Sequence, residues 1–352
     1  MQKEVKMQDI ADRLGISVVA VSKALSGKSG VSEAMRAKVC RTAEELNYVY
    51  NPRRKSVQGE LTGNICVLAS TRFIDADSFY LKYYKHISSL LQSRGRYAFF
   101  HTISSSDEEN LIYPELLTPG RTDGAIILGQ MSKAYIELIT SKNFPVVFLD
   151  FYDDRKDIDC IISDSFYASY DITNYLINIG HRKLAFVGSV KATSSIQDRY
   201  LGYVKSLMEH GIHVSSNYVL DDRGEDGLMV PIRLPVDMPT AFVCNCDGTA
   251  YELIKQLNRE GYRVPQDISV TGFDNSMYSD MSEPKITTIE VNTEQMSSLA
   301  VDTILKKIEN PSYNIGRMPV GGRIIYKNSV RSLISDSIRS VSYTHLTLPT
   351  IA

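Results

Sequence analysis

The residues that could do chemistry are dispersed along the 352-residue chain and form no catalytic motif. No strand-like segment is followed by Gly-x-Gly-x-x-Gly, and the full phosphate-loop motif Gly-x-x-x-x-Gly-Lys-Ser/Thr does not occur. The nucleophile elbow Gly-x-Ser-x-Gly and the zinc motif His-Glu-x-x-His are missing as well. The six histidines are scattered, and each is more typical of a surface or capping residue than of a ligand. The sequence therefore predicts a binding protein that is not an enzyme and needs no cofactor.

The cysteines also give no indication of a catalytic or metal site. They are five in number and spread along the chain, as expected for reduced thiols in a cytoplasm: Cys40, Cys66, Cys160, Cys244 and Cys246. Cys244 and Cys246 could form half of a metal site, but no second cluster accompanies them. Two thiols at the end of a buried strand is the simpler interpretation, and no metal site is predicted.

The N-terminus and the hydropathy pattern exclude two further classes of protein. The first residues lack the apolar core of a signal peptide, and no apolar run approaches 18 residues. The sequence therefore predicts a cytoplasmic protein without a membrane-spanning segment.

Charge is distributed unevenly between the two ends of the chain. Residues 1–62 carry 11 Lys and Arg against 7 Asp and Glu, which gives a net charge of +4, although the whole chain is at −2. The remaining 290 residues are therefore at −6. A composition of 43% apolar and 23% charged residues is that of a globular protein, and the length suggests two or three domains. A small basic segment on an acidic body indicates an anionic partner for one end only.

The basic segment has the pattern of three short helices. Apolar residues recur at helical spacing up to Leu14, Gly15 interrupts them, and Ser17 can cap a second helix over 18–25. A third helix is predicted to begin after Ser32 and to run to Leu46. Two helices joined by a turn that contains Gly form a helix-turn-helix. The same spacing also fits any small three-helix bundle, so the pattern alone leaves both interpretations open.

The acidic body alternates short apolar runs with amphipathic helices. The predicted strands lie at 65–69, 97–100, 124–128, 145–149, 184–188, 241–244 and 268–273, and the clearest helix is at 80–94. Strands separated by helical segments indicate parallel βαβ units. A polar stretch near 150–159 divides them into two doubly wound lobes, and ligands bind such sheets at the carboxyl ends of the strands.

The motifs of the basic segment stand at fixed mutual spacing over about 55 residues: Asp9-Ile10-Ala11, Leu14-Gly15-Ile16-Ser17, Val21 to Gly27, Val31-Ser32, Arg36 and Leu46 to Pro52. In this respect the segment resembles the lactose/galactose/purine repressor family. The resemblance implies that the second helix reads operator bases with Val18, Val19, Ala20 and Lys23. It also implies phosphate contacts by Ser17, Ser22, Ser32 and Arg36.

The chemistry of these side chains suits those roles. Valines can contact apolar features such as a thymine methyl group, and Lys23 can donate to guanine O6 and N7. Phosphate contacts set the register of a protein on DNA without reading its sequence. The family also has a hinge that enters the minor groove, and the resemblance assigns Arg53, Arg54, Lys55 and Val57 to it. Arg54 replaces a usual small Ala, and Val57 is shorter than the usual Leu. The alternative for the three adjacent cations is an ordinary solvated linker.

Residues 63–333 resemble the same family and the periplasmic sugar-binding proteins. The matching motifs are Phe148-Leu149-Asp150, Gly180-His181-Arg182-Lys183, Asp198-Arg199-Tyr200, Asp267 to Asp274 and Thr287-Thr288-Ile289. By resemblance the effector contacts are Phe79, Asp150, Arg199, Asn245, Asp247 and Asp274. Carboxylate and guanidinium groups suit sugar hydroxyls. Arg199 and Asp274 could instead pair with each other, and Asp150 could cap a turn. The family's Asn-Asp pair reads Cys246-Asp247 here, with Asn245 one place early.

The resemblance implies a homodimeric DNA-binding transcriptional regulator, a repressor, that binds a double-stranded DNA operator and is controlled by a small-molecule effector, a sugar. The alternatives are a periplasmic-type sugar-binding protein and a sugar-modifying α/β enzyme. The expected fold is an all-α helix-turn-helix head with two doubly wound parallel-sheet lobes of the periplasmic-binding-protein-like type. The expected domains are the head at 1–50, a hinge at 51–62, and the body at 63–335. Within the body, the N-lobe comprises 63–161 and 290–317, and the C-lobe comprises 162–289 and 318–333.

Residues 341–352 fit no pattern that extends the body. Their sequence is similar to the translation of a transposase sequencing adapter. They are predicted to be a non-native tail, and an ordinary disordered terminus is the alternative.

Overall fold

The structure, a computed structural model, describes residues 7–25, 30–46, 48, 61–71, 79–142, 144–155, 158–224 and 227–334. The chain divides between Thr62 and Gly63 into two compact units, a head and a body. The predicted hinge residues Arg53, Arg54, Lys55 and Val57 lie outside the described residues, as does the segment 341–352. The roles predicted for them stay predictions.

The head consists of the three predicted helices, α1 (Met7–Leu14), α2 (Val18–Leu25) and α3 (Glu33–Glu45). They enclose a small apolar core formed by Ile10, Ala11, Val21, Ala24, Val39 and Ala43. Gly15 adopts a φ of 65°, which closes the turn between α1 and α2 at no steric cost. The hydroxyl of Ser17 accepts a hydrogen bond from the Ala20 amide (3.2 Å), and that of Ser32 accepts one from the Met35 amide (3.3 Å). Both serines therefore cap the helices that follow them.

The N-lobe of the body is built on a six-stranded parallel sheet in the order β11-β5-β4-β3-β1-β2. Its strands are β1 (Asn64–Ser70), β2 (Tyr97–Ile103), β3 (Gly124–Leu128), β4 (Val146–Leu149), β5 (Asp159–Ser163) and β11 (Arg317–Val320). The helices are α4 (Phe79–Gln92), α5 (Ser105–Glu109), α6 (Lys133–Thr140) and α11 (Thr293–Glu309). The central strands are buried on both faces, as expected for a parallel sheet covered by helices.

The C-lobe contains a four-stranded parallel sheet in the order β7-β6-β8-β9. Its strands are β6 (Leu184–Val187), β7 (Val219–Leu220), β8 (Ala241–Cys244) and β9 (Ser269–Thr271). The helices are α7 (Ser165–Asn178), α8 (Ser194–Glu209), α9 (Asp247–Arg259) and α10 (Met277–Met281). Short strands β10 (Thr288–Glu290) and β12 (Arg323–Ile325) pair antiparallel where the chain passes between the lobes.

The predicted lobe boundaries need one correction. Residues 162–163 belong to β5, and residues 318–320 belong to β11, which pairs in parallel with β5. Both segments are therefore part of the N-lobe sheet and not of the C-lobe. The sequence gives little sign of β11, because it is an edge strand with an exposed Arg and Met and contains Pro319, which only an edge strand tolerates.

Among the described helices, none combines the length and the apolar character needed to cross a membrane.

Candidate functional sites

The second helix of the head presents part of its predicted reading surface outward. Val19 is 64% exposed and Lys23 is exposed, whereas Val18 and Ala20 are half-buried. Arg36 lies half-buried near the start of α3. Ser22 is on the inner face of α2, next to Val21, and is only 5% exposed. Its predicted contact with a phosphate stays a prediction.

In the body, three of the predicted effector residues lie together at the cleft between the lobes. Asp150 directly follows β4 and Asp274 follows β9, each with a positive φ (67° and 103°) that non-glycine residues seldom adopt. Such backbone conformations are concentrated at ligand sites, because the surrounding structure must hold them in place. Arg199 reaches the same region from α8 and is 7% exposed.

The Arg199 side chain is held on several sides. Its Nη2 lies 3.4 Å from Oδ1 of Asp274, and its Nη1 donates to the carbonyl of Asn245 at 2.5 Å. Its Nε donates to the Ser165 hydroxyl (3.4 Å), and the guanidinium lies 3.7 Å from the centre of the Phe273 ring. Arg199 and Asp274 thus form the pair that the sequence left open. Because this pair faces the cleft, it can still offer hydrogen bonds to a ligand.

Asp150 has a partner that the sequence did not indicate. The hydroxyl of Tyr80, on α4, donates to Oδ2 of Asp150 at 3.0 Å. Burial raises the pKa of the Asp150 carboxyl to about 7, against the opposing effect of Arg199, and Asp274 raises the pKa further. Burial, together with Asp150 itself, also raises the pKa of Tyr80 well above its ordinary value. The cleft therefore holds a carboxyl group that changes charge near neutral pH.

Phe79 stands beside Tyr80 but is buried. Its ring makes edge contacts with Tyr80 and Tyr83, at 5.5 and 5.4 Å between ring centres. In this arrangement of the lobes it packs on neighbouring side chains, and its predicted contact with a sugar ring stays a prediction.

Two predicted effector residues are buried in the C-lobe. Asn245 is 1% exposed, and its amide donates to the Val187 carbonyl and to Asp222. Asp247 is fully buried and accepts from the Thr288 hydroxyl (2.6 Å) and the Ser276 amide (2.7 Å). Burial raises the pKa of Asp247 to about 8. In this arrangement of the lobes both side chains point into the C-lobe core beneath the cleft, and their predicted contacts with the effector stay predictions.

Cys246 and Arg223 occupy the side of the cleft next to these residues. The Cys246 sulfur caps α9 by accepting from the Thr249 amide (3.5 Å), and Nη2 of Arg223 lies 4.0 Å from that sulfur. Arg223 is held by the buried carboxylate of Asp222, and burial raises the pKa of the Cys246 thiol. Across the described part of the chain, no three His, Cys, Asp or Glu side chains are placed to hold a metal ion.

The lobes contact each other across the mouth of the cleft. The Tyr152 hydroxyl donates to Asp198 (3.1 Å), and the Ser194 amide donates to the Gln130 side chain (3.0 Å). In each pair one residue belongs to the N-lobe and the other to the C-lobe. These two hydrogen bonds therefore join the lobes.

A head with a helix-turn-helix and a body with a polar cleft between two parallel-sheet lobes define a DNA-binding regulator that responds to a small molecule. Residues 6–51 match the family described as bacterial regulatory proteins, lacI family, and residues 173–330 match the periplasmic binding protein-like domain. The chain belongs to the lacI family of transcriptional regulators: it is a DNA-binding repressor with an effector-binding body, and it is not an enzyme.

Its relatives cover nearly its whole length. The probable transcriptional repressor ExuR of Bacillus subtilis is 27% identical over 94% of this chain and 99% of its own. The transcriptional repressor CytR of Escherichia coli is 24% identical over 93% of this chain and 96% of its own.

Solved structures share the fold. A complex of the transcriptional regulator CelR with cellobiose has a TM-score of 0.67 at 20% identity, and covers 92% of this chain and 99% of its own. The lac repressor dimer bound to operator and the anti-inducer ONPF has a TM-score of 0.62 at 22% identity, with coverage of 93% and 99%.

Proposed function

We propose that this protein represses transcription as a homodimer bound to a near-palindromic operator, and that a sugar bound between the lobes of the body controls that binding. The proposal that the effector is a sugar is supported by one group of side chains. Asp150 and Asp274, at the carboxyl ends of parallel strands, lie together with Arg199 from α8. Carboxylates accept pairs of hydroxyl hydrogens and a guanidinium donates in a fixed fork, which together suit a polyol. CelR, whose structure contains cellobiose, has the same fold.

For DNA recognition, the proposal assigns base contacts to Val18, Val19, Ala20 and Lys23 on α2. Phosphate contacts are assigned to Ser17, Ser32 and Arg36. A recognition helix meets base edges in the major groove with its early residues, and a two-fold symmetric dimer reads two half-sites about one helical turn apart. The lac repressor, solved as a dimer on its operator, supports this assignment. The protein would act where the DNA is, in the cytoplasm.

For control, the proposal requires the effector to bind one arrangement of the lobes more tightly than another. A ligand shifts a conformational equilibrium only by its difference in affinity for the two states. A sugar that contacts Asp150 in the N-lobe and both Arg199 and Asp274 in the C-lobe joins the lobes directly. It therefore supplies such a difference, because it gains its full set of contacts only when the lobes are closed.

The base-reading role is tested by fluorescence anisotropy with the DNA upstream of the gene, across a range of salt concentrations. Lys23→Ala is expected to weaken specific binding by about 5- to 150-fold, the effect of one base-contacting cation, and to relax the sequence preference. Lys38→Ala, which removes an exposed charge from α3, is the control, and it should leave the sequence preference intact. Binding that ignores both DNA sequence and Lys23 would contradict the assignment.

The effector site is tested by calorimetric titration of the full chain with a panel of sugars. Asp274→Asn keeps the shape of the side chain while it removes the charge, and it is expected to weaken sugar binding at least tenfold. Asp280→Asn is the control, because Asp280 lies on the exposed side of α10 next to Lys285. If no sugar binds, or if both variants bind equally well, the proposed site is wrong.

A further inference from the structure

A polar cavity lies beside the strands that connect the lobes. Its volume is about 530 Å³, within the range of small-molecule pockets. It is lined by Lys82 and His86, which lie one turn apart on α4, and by Asp274 and Asn275. The remaining lining residues are 290–294 and 321–323.

The cavity and the proposed effector site share Asp274. That residue lines the cavity and also pairs with Arg199. The next residue, Asn275, lines it too, and its carbonyl accepts from the amino group of Lys82 (3.3 Å). A ligand held by Asp150, Arg199 and Asp274 would therefore adjoin this cavity at Asp274.

The charges and the side-chain types of the cavity lining indicate which class of ligand it can bind. Two of its carboxylates are paired with cations: Asp274 with Arg199, and Glu290 with Arg323 (2.6 Å). Glu290 also accepts a hydrogen bond from the Asn275 amide (3.0 Å). Lys82 and Glu294 add one charge of each sign. Such a balanced lining favours neutral hydroxyl groups over an ion. The described residues that line the cavity include no Phe, Tyr or Trp ring on which a nucleobase could stack.

From this geometry we propose that the effector is a disaccharide or a similar glycoside, with one ring at Asp150, Arg199 and Asp274 and the second hydroxylated ring in the cavity between Lys82 and Gly321. The inference rests on the proposed sugar-binding function. It assigns Lys82 and His86 a role in selecting the length of the ligand.

Gly321 allows the cavity to be filled without disturbing the fold. A Cβ added at Gly321 would meet no atom within 4 Å, and its φ lies outside the left-handed region. A Cβ at the neighbouring Gly322, by contrast, would lie 2.8 Å from the Glu290 carbonyl oxygen. Gly321→Leu should therefore fill part of the cavity, whereas Gly321→Ala should leave nearly all of it open.

The experiment compares disaccharides with their own constituent monosaccharides by calorimetric titration of the full chain: cellobiose and maltose against glucose, and lactose and melibiose against galactose and glucose. At least one disaccharide is expected to bind ten times or more tighter than each of its monosaccharides. Gly321→Leu and Lys82→Ala should both reduce that gain to less than threefold, and Gly321→Leu should leave monosaccharide binding unchanged. Gly321→Ala and Lys85→Ala, on the exposed side of α4, should retain it.

Two results overturn the inference and leave sugar binding in place. One is a monosaccharide that binds as tightly as every disaccharide that contains it. The other is a Gly321→Leu variant that keeps the full disaccharide affinity. If no sugar of either size binds while a nucleoside does, the proposed sugar effector fails, and this inference fails with it.

Discussion

The raised pKa of Asp150 can be measured through its effect on the stability of the folded protein. That pKa is raised to about 7 by burial, from an ordinary value of 3.8, so between these two pH values the folded protein binds a proton that the unfolded chain has released. By linkage, this group stabilises the fold at low pH, and that contribution is lost as the pH rises through 7. Asp150→Asn, which cannot ionise, should therefore gain stability relative to wild type as the pH rises.

We expect the difference in free energy of unfolding between Asp150→Asn and wild type to grow by about 2–3 kcal/mol from pH 5 to pH 8, because pH 5 lies two units below the raised pKa and each unit corresponds to about 1.4 kcal/mol. Urea denaturation at a series of pH values measures it. Asp154→Asn is the matched control, because the Asp154 carboxylate is 92% exposed. An Asp150→Asn profile parallel to that of wild type would contradict the raised pKa.

The residues of the cleft also show what a sequence can and cannot predict about a site. Asp150 and Asp274 were predictable because they stand in recognisable motifs just after strands, and Arg199 because it stands in a recognisable motif on α8. Asn245 and Asp247 stand at an equally suitable position after β8, yet their side chains turn into the core. Tyr80 and Arg223 carry no motif, and only tertiary packing brings them to the cleft. Position along the chain thus predicts which loops meet, but not which way each side chain points.

At the scale of elements, α7 and α8 approach each other closely because of one residue. A Cβ at Gly202, on α8, would lie 2.0 Å from the Phe166 carbonyl oxygen and 3.0 Å from the Tyr170 amide nitrogen, both on α7. Gly202→Ala therefore forces the two helices apart. Overpacking of this kind costs about 1–3 kcal/mol, and backbone atoms cannot move away as a flexible side chain can.

We expect Gly202→Ala to lower the free energy of unfolding by about 2 kcal/mol, even though Ala favours a helix by about 1 kcal/mol over Gly. Thermal and urea denaturation both measure it. Gly321→Ala, where the added Cβ meets no atom, is the control and should stay within about 0.5 kcal/mol of wild type. Equal stability of the two variants would show that α7 can shift to accept the methyl group.

The positions of the helices and strands were easier to predict than the lobe to which each of them belongs. The buried strands and the three helices of the head follow from the spacing of apolar residues. Strand β11 does not, because only Val320 of the sequence Arg-Met-Pro-Val is buried and its pairing with β5 spans more than 150 residues. A strand at the edge of a sheet is specified by its neighbour more than by its own side chains.

At the scale of the whole molecule, the body exposes apolar side chains that a dimer would cover. In the N-lobe these are Leu81, Tyr97 and Phe99, the last two on β2, the edge strand of the described sheet. In the C-lobe they are Met277 and Met281 on α10, beside the Tyr251–Tyr278 ring contact. Exposed apolar side chains grouped in this way mark interaction surfaces, and a two-fold dimer uses the same surface of both copies.

If these two groups form the dimer interface, a charge in each should separate the copies. The double variant Phe99→Glu, Met281→Glu is expected to be monomeric at micromolar concentration by light scattering, and to bind the operator at least tenfold more weakly, because each head then meets its half-site alone. Val236→Glu places the same charge on a fully exposed apolar residue outside both groups, and it should remain dimeric. A double variant that stays dimeric with full operator affinity would place the interface elsewhere on the body.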